Sequence, residues 1–244
     1  ASSPTGTQFL QAVGCAEAWL RSSRTPGIAT PETPYHGDEV VFCSTGDGTT
    51  SQGEFWESMN TACNLKLPVV YLVEDNGYAI STPVEVNTAG GSISKLLSGF
   101  PDLYIQEVNG CDVLASYDVL TRAVDYCRQR KGPALVHAKV IRPYSHSLSD
   151  DEVNYRTAAE READAERDPV TTFPRWLVSQ GIASEAEIER MRVAVAEEVD
   201  VATDTALASP QPGTDTIYDF VYSPDVDPTS EQFDTEDDPQ FTGE

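Results

Sequence analysis

The chain has 244 residues, 39% of them hydrophobic, and its 16 Lys and Arg against 40 Asp and Glu give a formal net charge of −24 at pH 7. A chain of this length can bury a domain-sized core, but its acidity excludes partners bound through anionic surfaces, so we expect no nucleic acid and no membrane among them. The five cysteines are dispersed, which disfavours a disulfide framework and a zinc site and favours a cytoplasmic protein with reduced core thiols.

Helical and strand patterns alternate from the N-terminus onward. In chain order, they predict helix 7–22, strand 39–45, helix 53–65 behind a capping pattern at 51–54, strand 69–74, helix 93–97, strand 103–108, helix 113–127 and strand 134–141. Strands that alternate with helices at this spacing predict an α/β fold, a doubly wound parallel sheet with helices on both faces.

The composition changes twice along the chain. We predict an α/β domain over residues 1–149, a charged helical appendage over 150–209 and an acidic extended linker or tail over 210–244. Residues 193–244 hold 14 acidic side chains and no Lys or Arg. The simplest interpretation of the appendage and the tail is a solvated helical face followed by a flexible linker.

Two loops after consecutive predicted strands carry the most informative polar residues. A Gly-Asp-Gly segment centred on Asp47 ends the first strand, and an Asp-Asn-Gly-Tyr segment containing Asn76 ends the second, 29 residues later. A right-handed strand-helix-strand unit brings its strand ends together, so Asp47 and Asn76 should face one another. Their oxygens are hard donors that suit Mg²⁺, and the glycine-rich turn suits a phosphate. Alone, the Gly-Asp-Gly segment also fits an ordinary tight turn.

The two loops together resemble the fingerprint of thiamine diphosphate enzymes. Three segments then resemble the α subunit of the 2-oxo acid dehydrogenases: Gln-Ala-Val-Gly at 11–14, Asn-Gly-Tyr-Ala-Ile-Ser at 76–81, and His-Ser-x-Ser-Asp-Asp at 146–151 with Tyr-Arg at 155–156. The similarity runs in order from residue 2 to about residue 156. The fold it implies is the thiamine-diphosphate-binding type of α/β domain.

The resemblance implies oxidative decarboxylation of a 2-oxo acid with thiamine diphosphate and Mg²⁺. The acyl group would pass to a lipoyl-bearing acyltransferase within a multienzyme complex. A β subunit, or a β portion of the same polypeptide, would complete a heterotetramer and supply the glutamate that activates the cofactor, because no residue of this chain matches it. Ser-Asp-Asp followed by Tyr-Arg resembles branched-chain members more than pyruvate members.

Carried over residue by residue, the resemblance assigns three sets of contacts. The implied Mg²⁺ ligands are Asp47, Asn76 and the carbonyl of Tyr78. The implied cofactor-binding residues are Ser3, Thr5, Gly48, Thr49, Asn76 and His146. An implied structural K⁺ site comprises Ser2, Pro4, Thr7 and Gln8, although the last two also fit an ordinary helix start.

Residues 142–156 resemble the active-site loop of the family. Its candidate catalytic residue is His146, for which a surface-loop histidine is the alternative interpretation. The other residues assigned to the loop or to partner contact are Arg142, Ser147, Ser149, Asp150, Tyr155 and Arg156. We interpret His36 and His137 as ordinary loop and strand residues.

Two departures from the family pattern keep other functions open. Glu74 stands where the family usually has an arginine that helps to neutralise the diphosphate, so the site needs another cation. The family's N-terminal cofactor-binding segment has no match either. These departures support a non-catalytic α/β assembly module as the alternative, and within the enzyme class an acetoin dehydrogenase α subunit is a further one. The acidic segment 233–241 would also suit an α portion that continues into a β portion.

Overall fold

The computed structural model describes residues 4–25, 27, 35–219, 221 and 230. Its strands are β1 (Val41–Gly46), β2 (Val69–Asp75), β3 (Tyr78–Ala79), β4 (Thr82–Pro83), β5 (Tyr104–Asn109) and β6 (Ala134–Lys139). Four of them form a parallel sheet in the order β1-β2-β6-β5, while β3 and β4 pair as a short antiparallel hairpin. The predicted α/β class with a parallel sheet is confirmed.

Helices connect these strands and continue beyond them. They are α1 (Thr7–Ser22), α2 (Gly53–Leu65), α3 (Val84–Asn87), α4 (Ile93–Leu96), α5 (Val113–Arg128), α6 (Ala158–Glu166), α7 (Pro169–Ser179) and α8 (Glu185–Ala208). The chain divides into two compact units, Ala1–Ser184 and Glu185–Glu244. None of the described helices has the length and apolar character that crossing a bilayer requires. The predicted domain bounds at residues 149 and 209 stay predictions.

Alternate side chains of the sheet enter two apolar clusters. From β2, Tyr71 and Val73 pack with α1 and α2, where Phe9 and Phe55 are fully buried. Val70 points the other way and packs with α5. Both faces of the sheet are thus covered by helices, which explains why the central strands are apolar at nearly every position.

The two helix crossovers run in opposite directions across the sheet. From β1 the chain passes through α2 to β2, towards the middle, and from β5 it passes through α5 to β6, also towards the middle. Because such crossovers are right-handed, opposite directions place α2 and α5 on opposite faces. Their paths meet between β2 and β6, and the carboxyl ends of strands at such a reversal form the usual ligand crevice.

Three local predictions need correction. The predicted capping pattern at 51–54 is wrong: α2 is preceded by Gln52 without a side-chain cap, because Ser51 closes a 3₁₀ turn (Gly48–Ser51) and hydrogen-bonds to Asn87 instead. The last strand ends at Lys139 rather than at residue 141. Only three of the five free cysteines are core thiols, whereas Cys15 is exposed and Cys111 partly so.

Candidate functional site

The turn after β1 contains a buried carboxylate without a partner. Asp47 is 1% exposed, and neither of its carboxylate oxygens has a hydrogen-bond partner among the described residues. Its carbonyl is well satisfied, since Thr50 donates to it from the backbone N–H at 3.1 Å and from Oγ at 2.6 Å. Burying an unpaired carboxylate costs free energy, so binding of a cation or a proton at this position would be favourable.

The turn after β1 packs directly on the hairpin that follows β2. A Cβ added to Gly48 would lie 2.6 Å from the Cβ of Ala79, well inside the contact distance of about 3.5 to 4.0 Å for two carbon atoms. Glycine is therefore required at this position by close approach. The contact fixes the Gly-Asp-Gly turn against the segment that contains Asn76.

Two side chains organise the turn after β2 by accepting hydrogen bonds from backbone N–H groups two residues further along the chain. Asp75 Oδ1 accepts the Gly77 N–H at 2.8 Å, and Asn76 Oδ1 accepts the Tyr78 N–H at 3.1 Å. The parallel register pairs Gly46 with Glu74, so the turns after β1 and β2 begin side by side. The structure thus places Asp47 and Asn76 at the ends of neighbouring strands.

Burial and charge give Asp47 an unusual proton affinity. Burial raises the pKa of Asp47 to about 6, and the negative charge of Asp75 contributes to the rise. Backbone N–H groups, including that of Asn76, and the ammonium group of Lys139 offset only part of it. A cation bound at the carboxylate would replace the proton and remove this cost.

A buried hydrogen-bond network supports the turn from behind. Asp75 Oδ2 lies 2.7 Å from His137 Nε2, and the Lys139 ammonium also contacts this oxygen. His137 is fully buried, and its Nδ1 lies 2.9 Å from Ser94 Oγ, which contacts Glu107 in turn. Burial alone would raise the pKa of Asp75, but these two donors and the Gly77 N–H lower it to about 2.

Sequence reasoning missed this network. It interpreted His137 as an ordinary strand residue and assigned no role to Asp75 or Lys139. The signal was present as three charged or polar residues at the ends of two apolar strands, but their contact depends on the pairing of β2 with β6, which joins Asp75 to Lys139.

The loop over residues 142–156 is joined to Tyr78. Arg142 donates to the Ile80 carbonyl at 2.7 Å and to the Tyr155 hydroxyl at 2.6 Å, and Tyr155 Oη donates to Asp150 at 2.5 Å. The Tyr78 and Tyr155 ring centroids are 5.7 Å apart, and the Arg142 guanidinium lies over both rings.

Arg156 closes the same loop from the inside. Its side chain is buried and donates to the Arg142 carbonyl and to Glu152, both at 2.9 Å, and it also pairs with Asp164. Tyr78 extends the connection to α6, because its hydroxyl donates to Glu160 at 3.1 Å. Four of the predicted loop residues, Arg142, Asp150, Tyr155 and Arg156, are thus connected to the hairpin after β2.

The exposed tip of the loop is not joined to the buried carboxylate. His146 is exposed, its backbone N–H donates to Asp150 at 2.8 Å, and none of the hydrogen bonds between described residues joins it to Asp47 or Asn76. The hydroxyls of Ser147 and Ser149 lie 3.3 Å apart at the surface. The structure therefore brings together the base of the loop and leaves its tip in solvent.

The predicted K⁺ ligands are only partly described. Thr7 Oγ1 donates to the Pro4 carbonyl at 3.0 Å, and Cys43 Sγ lies 3.9 Å from the Gln8 carbonyl. Thr5 is exposed just before α1. Ser2 and Ser3 lie outside the described residues. Thr49 belongs to the 3₁₀ turn beside Asp47.

The candidate metal ligands at the two strand ends include only one ionisable side chain. Within the described ranges, no group of three or more His, Cys, Asp or Glu is arranged to hold a metal ion. The site offers one carboxylate, one amide oxygen and a nearby loop carbonyl. Such a set provides half of an octahedron and suits Mg²⁺ whose remaining ligands come from a phosphate and water.

The structure has a parallel sheet in which the Asp47 carboxylate and the Asn76 amide follow the ends of two neighbouring strands. This arrangement defines the class of α/β domain that binds ligands at the carboxyl ends of its strands. A family model described as the dehydrogenase E1 component matches residues 1–215. The chain belongs to this family.

Curated relatives of the chain are α subunits of pyruvate dehydrogenase. The mitochondrial somatic form of the E1 component subunit alpha from Homo sapiens is 34% identical over 193 residues, which covers 78% of this chain and 49% of the relative. The testis-specific human form is 33% identical over 200 residues, which covers 82% of this chain and 51% of the relative. The subunit from Sminthopsis macroura is also 33% identical over 200 residues, which covers 82% of this chain and 54% of the relative. The chain thus spans about half the length of these relatives.

The close packing of Gly48 generates the first prediction. We expect Gly48→Ala to lower the free energy of unfolding by about 1–3 kcal/mol, because the added methyl group overlaps Ala79. The matched control is Gly53→Ala, whose added methyl group meets nothing within 4 Å. Urea unfolding of both variants measures the difference. Equal stability of the two variants would contradict the close approach.

The raised pKa of Asp47 generates the second prediction. In metal-free buffer at about pH 7.5, we expect Asp47→Asn to be more stable than the wild type, because it removes an unpaired buried charge. The folded pKa of about 6 lies above the ordinary aspartate value of 3.8, so the wild type gains stability relative to the variant as pH falls from about 7 to 4. Asp75, with its pKa lowered to about 2, does not titrate in this window. Urea unfolding at several pH values tests this, and a pH-independent difference would contradict it.

Proposed function

We propose that this chain forms half of a thiamine diphosphate site and serves in the oxidative decarboxylation of a 2-oxo acid. The observation that carries the proposal is the buried Asp47 carboxylate, unpaired within the described residues, at a strand end beside Asn76, in a chain of the dehydrogenase E1 component family. The acyl product would pass to a lipoyl-bearing acyltransferase. Both this activity and this partner belong to the complete enzyme of which the chain is a component.

The residues present fit Mg²⁺ and a diphosphate. The Asp47 carboxylate has no hydrogen-bond partner among the described residues and would bind the metal together with Asn76 Oδ1 and the carbonyl of Tyr78. Asn76 is already oriented, because its Oδ1 accepts the Tyr78 N–H and keeps a second lone pair. Gly48 and Thr49 begin the 3₁₀ turn after Asp47, where the first N–H groups lack partners within the turn and would bind the phosphates. Thr5 and Ser3 remain proposed cofactor contacts.

The chain's own contribution is positioning and charge. Thiamine diphosphate, when bound, supplies the electron sink that makes loss of CO₂ possible. Asp47 and Asn76 would hold the diphosphate end through the metal, while Arg142 and Tyr155 keep the loop folded over the hairpin after β2. His146, at the exposed tip of that loop, would line the path of the acyl group. The residue that activates the cofactor would come from the β subunit or β portion.

The substrate and the cellular location are proposed less specifically than the reaction. The relatives named above are pyruvate dehydrogenase subunits, which supports pyruvate as the substrate and does not support the branched-chain preference. An acetoin dehydrogenase α subunit would use the same half-site. A K⁺ ion near Pro4 and Thr7 is a further proposal, supported by their contact alone. A cytoplasmic location rests on the free cysteines, whereas the named relatives are mitochondrial.

The metal assignment generates the third prediction. In the enzyme assembled with its β partner, we expect Asp47→Ala and Asn76→Ala to weaken Mg²⁺-dependent binding of thiamine diphosphate at least 100-fold, because Mg²⁺ requires a nearly complete set of oxygen ligands. Calorimetric titration measures the affinity. Matched controls are Asp38→Ala and Asn60→Ala, at exposed positions away from the strand ends.

Two outcomes of this titration count against the proposal. Unchanged affinity in both site variants would refute the Mg²⁺ site. A wild-type assembly that binds no thiamine diphosphate would favour the non-catalytic assembly module over an enzyme.

The exposed position of His146 generates the fourth prediction. We expect His146→Ala to leave the unfolding temperature unchanged, because its hydrogen bond to the other described residues is donated by the backbone N–H, which the variant keeps. Acyl transfer to a lipoyl domain should fall about 100-fold or more, the range for loss of a positioned acid–base group. The control is His36→Ala, at another exposed loop histidine. Full acyl transfer by His146→Ala would return this residue to the surface-loop interpretation.

A further inference from the structure

The edge of the sheet that would receive the diphosphate is itself acidic. Asp47 and Asp75 are buried there, and Glu74, the second-last residue of β2, is exposed. Mg²⁺ bound at Asp47 would neutralise only part of this charge. A polyanionic ligand at this edge needs a further positive group, and that group must lie near the ends of β2 and β6.

Lys139 is placed where such a group is needed. It is the last residue of β6 and is paired in register with Asp75, the last residue of β2. These strand ends flank the point at which the two crossovers meet. The side chain is 46% exposed, so a ligand in the crevice can reach it. Its charge also acts on Asp47, whose pKa it lowers in part.

Among the described residues, the Lys139 ammonium group contacts the carboxylate of Asp75 and no other side chain. Asp75 accepts from it and is itself fixed by His137 and by the Gly77 N–H. His137 is fully buried and locked by Ser94, so this anchor cannot rotate away. An ammonium group has three N–H donors, and the contact with Asp75 uses one of them.

The arginines near this edge are engaged elsewhere. Arg142 donates to the Ile80 carbonyl and to the Tyr155 hydroxyl. Arg156 is buried and paired with Glu152 and Asp164. Within the part of the chain that the structure describes, the Lys139 ammonium group pairs with Asp75 only, whereas these guanidinium groups maintain the loop.

We propose that Lys139 binds the diphosphate of the cofactor directly, and that Asp75 and His137 act as positioning residues for its ammonium group. The inference rests on the proposed function, because it names an additional binding residue of the same site. It differs from the Mg²⁺ assignment, since it places a protein cation on β6 next to ligands from the β1 and β2 ends.

The test is calorimetric titration of thiamine diphosphate, at saturating Mg²⁺, into the enzyme assembled with its β partner. We expect Lys139→Gln to weaken binding about tenfold or more, as for loss of one charge-assisted hydrogen bond. Lys139→Arg keeps the charge and should stay within about threefold of the wild type. Lys131→Gln, at the opposite end of β6, is the matched control and should bind like the wild type.

A second measurement separates binding from stability. The salt dependence of the affinity should become weaker in Lys139→Gln but not in Lys131→Gln, a change that a purely structural loss would not produce. Affinity and salt dependence in Lys139→Gln equal to those of the wild type, while Asp47→Ala loses binding, would overturn the role of Lys139 and leave the proposed function intact. Absence of binding by the wild type would overturn both.

Discussion

The pairing of β2 with both of its neighbours is the constraint on which the site depends. On one side, its register with β1 sets the Gly-Asp-Gly turn beside Asn76. On the other, its register with β6 sets Asp75 beside Lys139. A shift of either register by one residue would turn these side chains to the opposite face of the sheet. The apolar residues of β2 prevent such a shift, because Tyr71 and Val73 must reach one cluster and Val70 the other.

Two buried carboxylates at this edge have opposite roles because their surroundings differ. Asp75 accepts from a histidine, a lysine and a backbone amide, which lower its pKa to about 2 and keep it ionised. Among the described residues, Asp47 has no histidine or lysine in hydrogen-bond contact, and burial raises its pKa to about 6. The pair follows the general rule that neighbouring acids with diverging proton affinities have different functions. Asp75 maintains the architecture, and Asp47 is left free to bind a cation.

The sequence predicted what is local and missed what depends on distant pairing. The helix over Thr7–Ser22 and the strand ends that carry Asp47 and Asn76 follow from periodicity and from the length of one strand-helix-strand unit. The contact of Asp75 with His137 joins residues 62 positions apart, and a histidine within an apolar strand looks like any core residue. The capping prediction at Ser51 failed because a 3₁₀ turn precedes α2. The resemblance identified residues 142–156 as the active-site loop, but the connection of this loop to Tyr78 was not predicted, because it joins residues far apart in the sequence.

The contact between Gly48 and Ala79 determines how the site would respond to its ligand. Main-chain atoms and a methyl group set the separation of the two turns, so it does not depend on side chains that rotate. The backbone segments that carry Asp47 and Asn76 are consequently held close together before any ligand arrives. Little conformational entropy remains to be lost on binding, which favours affinity through preorganisation. At the proposed Mg²⁺ site, the same close packing would select among ions by radius, because drawing the two turns together or pushing them apart would deform the sheet edge.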